Sequence, residues 1–323
     1  MLAIACGLLL LADSNAVPVA ASPAPDDPRT TVVLLGGTMI EREQEYGHWE
    51  AALRTGHPQT RWSVRNLGWS GDTVWAESRG RFDPPGKAYP RMVATVKSLR
   101  PNVVVFGYGR AEAMAAFHEL ADLEPRFAQA ALADAAARFE RQFRQLVRDL
   151  PTEQRVFLGL PTLGEQRSEA VAVPWAEVRD AFDETVRAVA SRSDGRFVSL
   201  DDRAFADASL TDDGVQWNDA GYARSAPRWA DGVAAAVRSN GNDREQQLGA
   251  AKPLADDQHD RVLDAIRRKN RLVFHRFRPQ NTTYLLLFRK HEQGQNAGEI
   301  PQFDPAIAAA DRAIDSLIAD AAD

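Results

Sequence analysis

Four short stretches of the chain hold the residues best placed to do chemistry. They read Leu34-Leu35-Gly36-Gly37-Thr38-Met39, Asn66-Leu67-Gly68-Trp69-Ser70-Gly71-Asp72-Thr73, Gly107-Tyr108-Gly109-Arg110-Ala111-Glu112 and Leu210-Thr211-Asp212-Asp213-Gly214-Val215-Gln216-Trp217-Asn218. The first follows an apolar, β-rich run at 31–35 and leads into a helical pattern, so Thr38 stands where a strand hands over to a helix. Backbone N–H groups at such a junction suit an oxyanion or a bound anion. A threonine hydroxyl there can attack an ester when a base lies beside it, although β-branching crowds it and restricts χ1. The same hydroxyl can instead cap the helix by accepting from backbone N–H groups. Asp72, Glu112, Asp212 and Asp213 place carboxylates in these stretches. Two carboxylates at a suitable separation would serve glycoside hydrolysis, and single ones would brace the loops.

The order and spacing of the four stretches resemble the SGNH, or GDSL-type, hydrolases. That family reads roughly G-D-S, S-G-D, G-x-N-D or G-x-N-E, and D-G-x-H in the corresponding places. The resemblance puts the nucleophilic serine at Thr38, the oxyanion glycine at Gly71 and the triad aspartate at Asp213. It puts the oxyanion asparagine at Ala111 and the catalytic histidine at Gln216. An alternative register of the third stretch places the asparagine at Gly109, but the Ala111 register keeps both the glycine and the glutamate. The resemblance implies a three-layer α/β/α, flavodoxin-like fold and an ancestral activity on carboxylic esters, including acyl groups on carbohydrates.

The substitutions decide what remains of that chemistry. A glutamine amide has no titratable nitrogen near neutral pH, so Gln216 cannot take a hydroxyl proton. Asp213 then has no imidazole to orient and would brace its loop. Loss of a triad member costs on the order of 10⁴ to 10⁶ in turnover. Neither Ala111 nor Gly109 offers a side-chain amide to an oxyanion, a donor worth roughly 3 kcal/mol elsewhere. The histidines available to substitute are His48, His57, His118, His259, His275 and His291, and none lies at strand-end spacing from Thr38 or beside Asp213. No pair of them has metal-ligand spacing, and a zinc site needs three or four ligands, so neither a metal nor another cofactor is expected. Arg110, with Gly37 at the head of the first helix, would help form an anion pocket; otherwise it pairs loosely with a carboxylate at the surface.

The elements that must position these stretches alternate. Short β-rich runs at 31–35, 62–66, 103–106, 156–160 and 197–200, several of them continuous in Val, Leu and Phe, predict strands buried on both faces of a parallel sheet. Helical patterns fill the gaps at about 40–54, 91–99, 128–150, 175–191 and 219–238. Strand and helix in alternation give a doubly wound α/β domain over 30–238. A polar stretch at 239–257 reads as a linker. Beyond it, 258–323 forms a mainly helical C-terminal extension, with a short strand expected at 284–288 and a last helix at about 305–321. Such a piece is too small to be comfortable alone and should dock on the main domain. Part of it, from Lys269 to Tyr284, resembles a tail found on some secreted bacterial proteins of the same family.

The 323 residues carry 44% hydrophobic and 26% charged residues and a formal charge of −6. That balance is ordinary for a globular protein and gives no overall footprint for nucleic acid. The basic and aromatic residues between Arg267 and Lys290 follow a core-like helical stripe rather than a strand-binding surface. Met1 to Ala12 is an apolar run too short to span a bilayer, and Val19-Ala20-Ala21 fits a signal-peptidase site ahead of Ser22. Residues 1–21 are thus expected to be a signal peptide and 22–29 a linker, giving an exported protein without an integral membrane segment. The sole cysteine, Cys6, lies in the leader, so disulfides are not expected in the mature chain. Three functional expectations stay open: a pseudo-hydrolase whose pocket takes a small ester, carbohydrate or anionic ligand, an atypical esterase using Thr38, and a non-catalytic interaction protein whose pocket is filled by its own side chains.

Overall fold

A computed structural model describes residues 28–80, 84, 86–162, 173–200, 208–238 and 254–320. The expected leader, Cys6 and most of the expected linker lie outside the described residues.

Five strands form one parallel sheet: β1 (Thr30–Gly36), β2 (Trp62–Asn66), β3 (Val103–Gly107), β4 (Gln154–Leu158) and β5 (Arg196–Val198), in the order β2-β1-β3-β4-β5. The order reverses between β1 and β3, and a crevice opens there beyond the carboxyl ends of the strands. Val32 pairs with Val103 and Gly36 with Gly107, so the first and third stretches leave the sheet side by side.

Helices cover both faces. They are α1 (Thr38–Tyr46), α2 (His48–Gly56), α3 (Ala88–Ser98), α4 (Arg110–Ala121), α5 (Pro125–Asp149), α6 (Trp175–Arg192) and α7 (Asp219–Arg238). Alternate residues of each strand turn to opposite sides. Val33, Leu35, Val104 and Phe106 pack with α3 to α6 around Phe139 and Phe143. Val32, Leu34, Val103 and Val105 pack with α1, α2 and α7 around Trp49, Tyr222 and Trp229. The one helix expected at 40–54 is two, because Gly47 adopts φ +74 between α1 and α2. A Cβ there would also come within 3.0 Å of Ile266.

Past the main sheet come α8 (Asp256–Phe277), α9 (Thr282–Leu286), α10 (Lys290–Gln293) and α11 (Phe303–Ala319). The strand expected at 284–288 is corrected: that segment opens as the short helix α9. At the β2 edge the C-terminal helices pack against the sheet instead of adding a strand to it. The Lys269 ammonium on α8 donates to the Val64 carbonyl of β2 at 3.2 Å. Helix α8 also lies on α1 and α2, and α11 lies on α8.

Candidate active site

The first stretch turns from β1 into α1 with Gly37 as N-cap, and no side chain caps that helix. Thr38 is therefore the first helical residue, and the capping role open to it from sequence is not taken. Its Oγ1 instead accepts from the Gly71 backbone N–H at 3.0 Å. The two positions matched to nucleophile and oxyanion donor thus meet across the crevice.

Gly71 is presented by a tight turn. The Asp72 N–H donates to the Trp69 carbonyl at 2.9 Å, and Gly71 has φ +68. That is the third position of a type II turn, where a side chain would be strained. The turn is locked below by Asp72, whose carboxylate takes the Arg79 guanidinium at 2.6 Å and the Tyr108 hydroxyl at 3.1 Å. Burial raises the Asp72 pKa, and the Arg79 charge offsets only part of that.

The third stretch is braced by Glu112, near the start of α4. It accepts from the Gly109 N–H at 2.9 Å and from the Val74 N–H at 2.8 Å, joining the second and third stretches. Burial pushes its pKa up to about 7 against those two hydrogen bonds. Ala111 presents only a methyl group.

The fourth stretch closes on itself through an isolated bridge between Thr211 and Trp217. Asp213 accepts from the N–H groups of Val215 and Gln216 at 2.8 and 2.7 Å, so it braces its loop. Arg110 lines the same cavity as Gly37 and takes a further role. Its guanidinium donates to the Val215 carbonyl at 2.6 Å and ties the third stretch to the fourth. Arg42, unremarked in the sequence, pairs with Asp212 and donates to the Trp217 carbonyl at 3.2 Å.

A cavity of about 340 Å³ lies among these loops. Gly37, Thr38, Gly71, Arg110, Ala111 and Gln216 all line it, whereas Asp213 does not. Met39, Met114, Leu158, Leu160 and Val215 make its apolar wall; Met39 and Val215 stand within the four stretches and Leu158 and Leu160 in an expected strand, whereas Met114 carried no signal. None of the six histidines, all at described positions, lines it. His48 faces Asp219 at 3.0 Å and His57 faces Asp231 at 3.3 Å. Burial lowers the pKa of both, ahead of the opposing effect of their aspartates.

Neither Trp69 nor Trp217 lines the cavity. Trp217 is buried beside Trp49 and Tyr222, and Trp69 lies under the guanidinium groups of Arg79 and Arg278. All four carboxylates considered for glycosidase work are engaged in bracing loops or pairing with arginine. Among the described residues no group of three His, Cys, Asp or Glu could hold a metal ion. Nor, among them, is any helix long and apolar enough to cross a membrane.

Several solved structures are similar to this chain. A gut microbial diltiazem-metabolizing enzyme superposes with a TM-score of 0.58 at 11% identity, over 94% of this chain and 96% of its own. An acetyl xylan esterase gives 0.46 at 17% identity, over 64% and 99%. A lipase/acylhydrolase from Enterococcus faecalis gives 0.46 at 14%, over 64% and 96%. At such identities the likeness is one of fold. No curated protein sequence matches the chain. Residues 35–224, which run from the end of β1 into α7 and hold all four stretches, match the GDSL-like Lipase/Acylhydrolase family, and the chain belongs to that family.

Proposed function

We propose that this chain keeps the pocket of an ester hydrolase and has lost its chemistry. It would hold a small ligand bearing an acyl or carboxylate group without turning it over. The observation that carries this reading is the neighbourhood of Thr38. Its hydroxyl meets the Gly71 N–H at 3.0 Å, yet the cavity offers Gln216 and no imidazole to take the proton. An unassisted threonine hydroxyl is a weak nucleophile. Where an oxyanion needs a second donor, Ala111 presents a methyl group. A cavity of this size with an apolar wall and a few polar groups suits a small amphipathic ligand. Export belongs to the same proposal, on the strength of the apolar leader, and N-terminal sequencing of protein from the cell envelope should begin at Ser22.

The Thr38–Gly71 contact favours one second reading, residual esterase activity, because it retains nucleophile and donor side by side. Hydrolysis of short p-nitrophenyl esters by wild type, Thr38→Ala and Thr38→Ser/Ala111→Asn/Gln216→His separates the two. On the proposed reading wild type and Thr38→Ala match the buffer rate, and the triple variant exceeds both by about 10²-fold or more, as expected when an oxyanion donor and a base return. Turnover by wild type that Thr38→Ala abolishes would instead establish an active enzyme with an unrecognised base.

A further inference from the structure

The C-terminal helices reach the candidate site through one side chain. Arg278 follows the last residue of α8, and its guanidinium extends from the helix end to the second stretch. There it donates to the Gly68 carbonyl and pairs with Glu41 on α1. The same group lies 4.0 Å from the centroid of the Trp69 ring and 5.0 Å from that of Phe274. Gly68 and Trp69 lead directly into the turn that presents Gly71.

That turn has few other anchors. The Trp69 N–H donates to the Gly36 carbonyl at 2.9 Å, and the Ser78 hydroxyl to the Gly71 carbonyl at 2.7 Å. Arg79 holds the flanks, donating to the Leu67 carbonyl at 2.8 Å and pairing with Asp72. At Gly68 the chain presses so close to α1 that a Cβ would lie 2.4 Å from the Glu41 nitrogen. Asn66 also links α1 to Gly68, accepting from the Gly68 N–H at 2.8 Å and donating to the Ile40 carbonyl at 2.6 Å. Arg278 reaches Glu41 of α1, Gly68 and the Trp69 ring with one guanidinium. A planar guanidinium can hydrogen-bond at its edge while stacking by its face, which an ammonium cannot do.

We infer that Arg278 is a positioning residue of the candidate site: by fixing Gly68 and Trp69 it orients the Trp69–Asp72 turn and the Gly71 N–H that meets Thr38. The C-terminal extension then supports the pocket from behind, through the turn that carries Gly71. The inference rests on the Gly71–Thr38 contact and is independent of whether the site has lost its hydrolytic activity. It is also separable from docking, because α8 is held elsewhere by Lys269 on Glu50 and by Val262 and Ile266 in the small core with α11.

Hydrogen–deuterium exchange on the full chain tests it, with wild type, Arg278→Lys and Arg278→Gln. Peptides covering 67–73 should exchange about tenfold faster in Arg278→Gln, with Arg278→Lys between the two. Peptides from α8 and β1 should keep wild-type protection in both variants. Unchanged exchange at 67–73 would overturn the inference. So would a parallel rise in α8, which would make Arg278 an anchor of the extension and nothing more.

Discussion

Glu112 is pulled in opposite directions by its surroundings. Two backbone N–H groups favour its carboxylate form, while complete burial disfavours it more, so its pKa rises from an ordinary value of 4.5 to about 7. The folded chain therefore keeps a proton that the unfolded chain has already released. The stabilisation this provides is full below about pH 4.5 and is lost as pH rises through 7, an effect on the order of 3 kcal/mol. Glu112→Gln keeps one acceptor but sets an amide N–H₂ against a backbone N–H, at a cost of about 1–3 kcal/mol. In urea denaturation the stability advantage of wild type over this variant should shrink by about 2–3 kcal/mol between pH 5 and pH 8; a constant difference would refute the assignment. That Glu112 would brace its loop was legible in sequence, but not that it does so from the first turn of a helix, three residues after Gly109. The roles of Thr38 and Arg110 were not. Thr38 turns to a partner 33 residues away and Arg110 to one 105 residues away, and no local spacing encodes such contacts.

Elements in this molecule are held by more than their apolar faces. Where α8 and α11 meet α2 and β2, the charges are buried and interlocked. Arg54 pairs with Glu50 at 2.8 Å and with Asp311, Arg65 pairs with Asp311 at 2.8 Å, and Lys269 pairs with Glu50. Burial alone would raise the Asp311 pKa, but Arg65, Arg54 and Lys269 outweigh it and hold it at about 2. Its stabilising contribution is thus present above about pH 3.8 and is lost as pH falls through 2. Asp311→Ala removes the carboxylate that Arg54 and Arg65 share, leaving Arg54 with Glu50 and Asp315, and should cost about 3 kcal/mol at pH 7. Glu292→Ala, which breaks the exposed pair with Arg289, should cost less than about 1 kcal/mol. Equal losses in chemical denaturation would mean that the interlock contributes no more than a surface pair. The apolar runs made the strands readable, and Asp219–Arg238 was legible to the residue from its helical stripe. Helix α4 was passed over because Arg110 to Glu112 read as part of a functional stretch rather than as a first turn. The α9 segment misled because a run of Tyr, Leu and Phe without charges fits a strand and a short helix equally well.

At the scale of the molecule the question is whether the C-terminal helices form a unit of their own. Their private core is small: Val262, Leu263, Ala265 and Ile266 of α8 meet Ile314 and Ile318 of α11, and Ala51 of α2 completes the cluster. A piece of roughly seventy residues with so little apolar burial is marginal by itself. The main domain depends on it in return. Without α8 and α11, Arg54 and Arg65 lose Asp311, and Glu50 loses Lys269. The carbonyl of Val64 on the edge strand β2 also loses one of its two donors, keeping only Arg65 at 2.9 Å among the described residues. Each part therefore supplies the counter-charges of the other, so neither can unfold without exposing or stranding ions in its partner. The chain should accordingly melt in one calorimetric transition with equal calorimetric and van't Hoff enthalpies. Asp311→Ala should move that transition down as a whole, by about 2–4 °C for each kcal/mol lost. If the substitution instead splits off an earlier transition, with the main sheet undisturbed, the extension is an autonomous module. The coupling of Arg278 to the pocket wall would then have to survive within a domain that can detach.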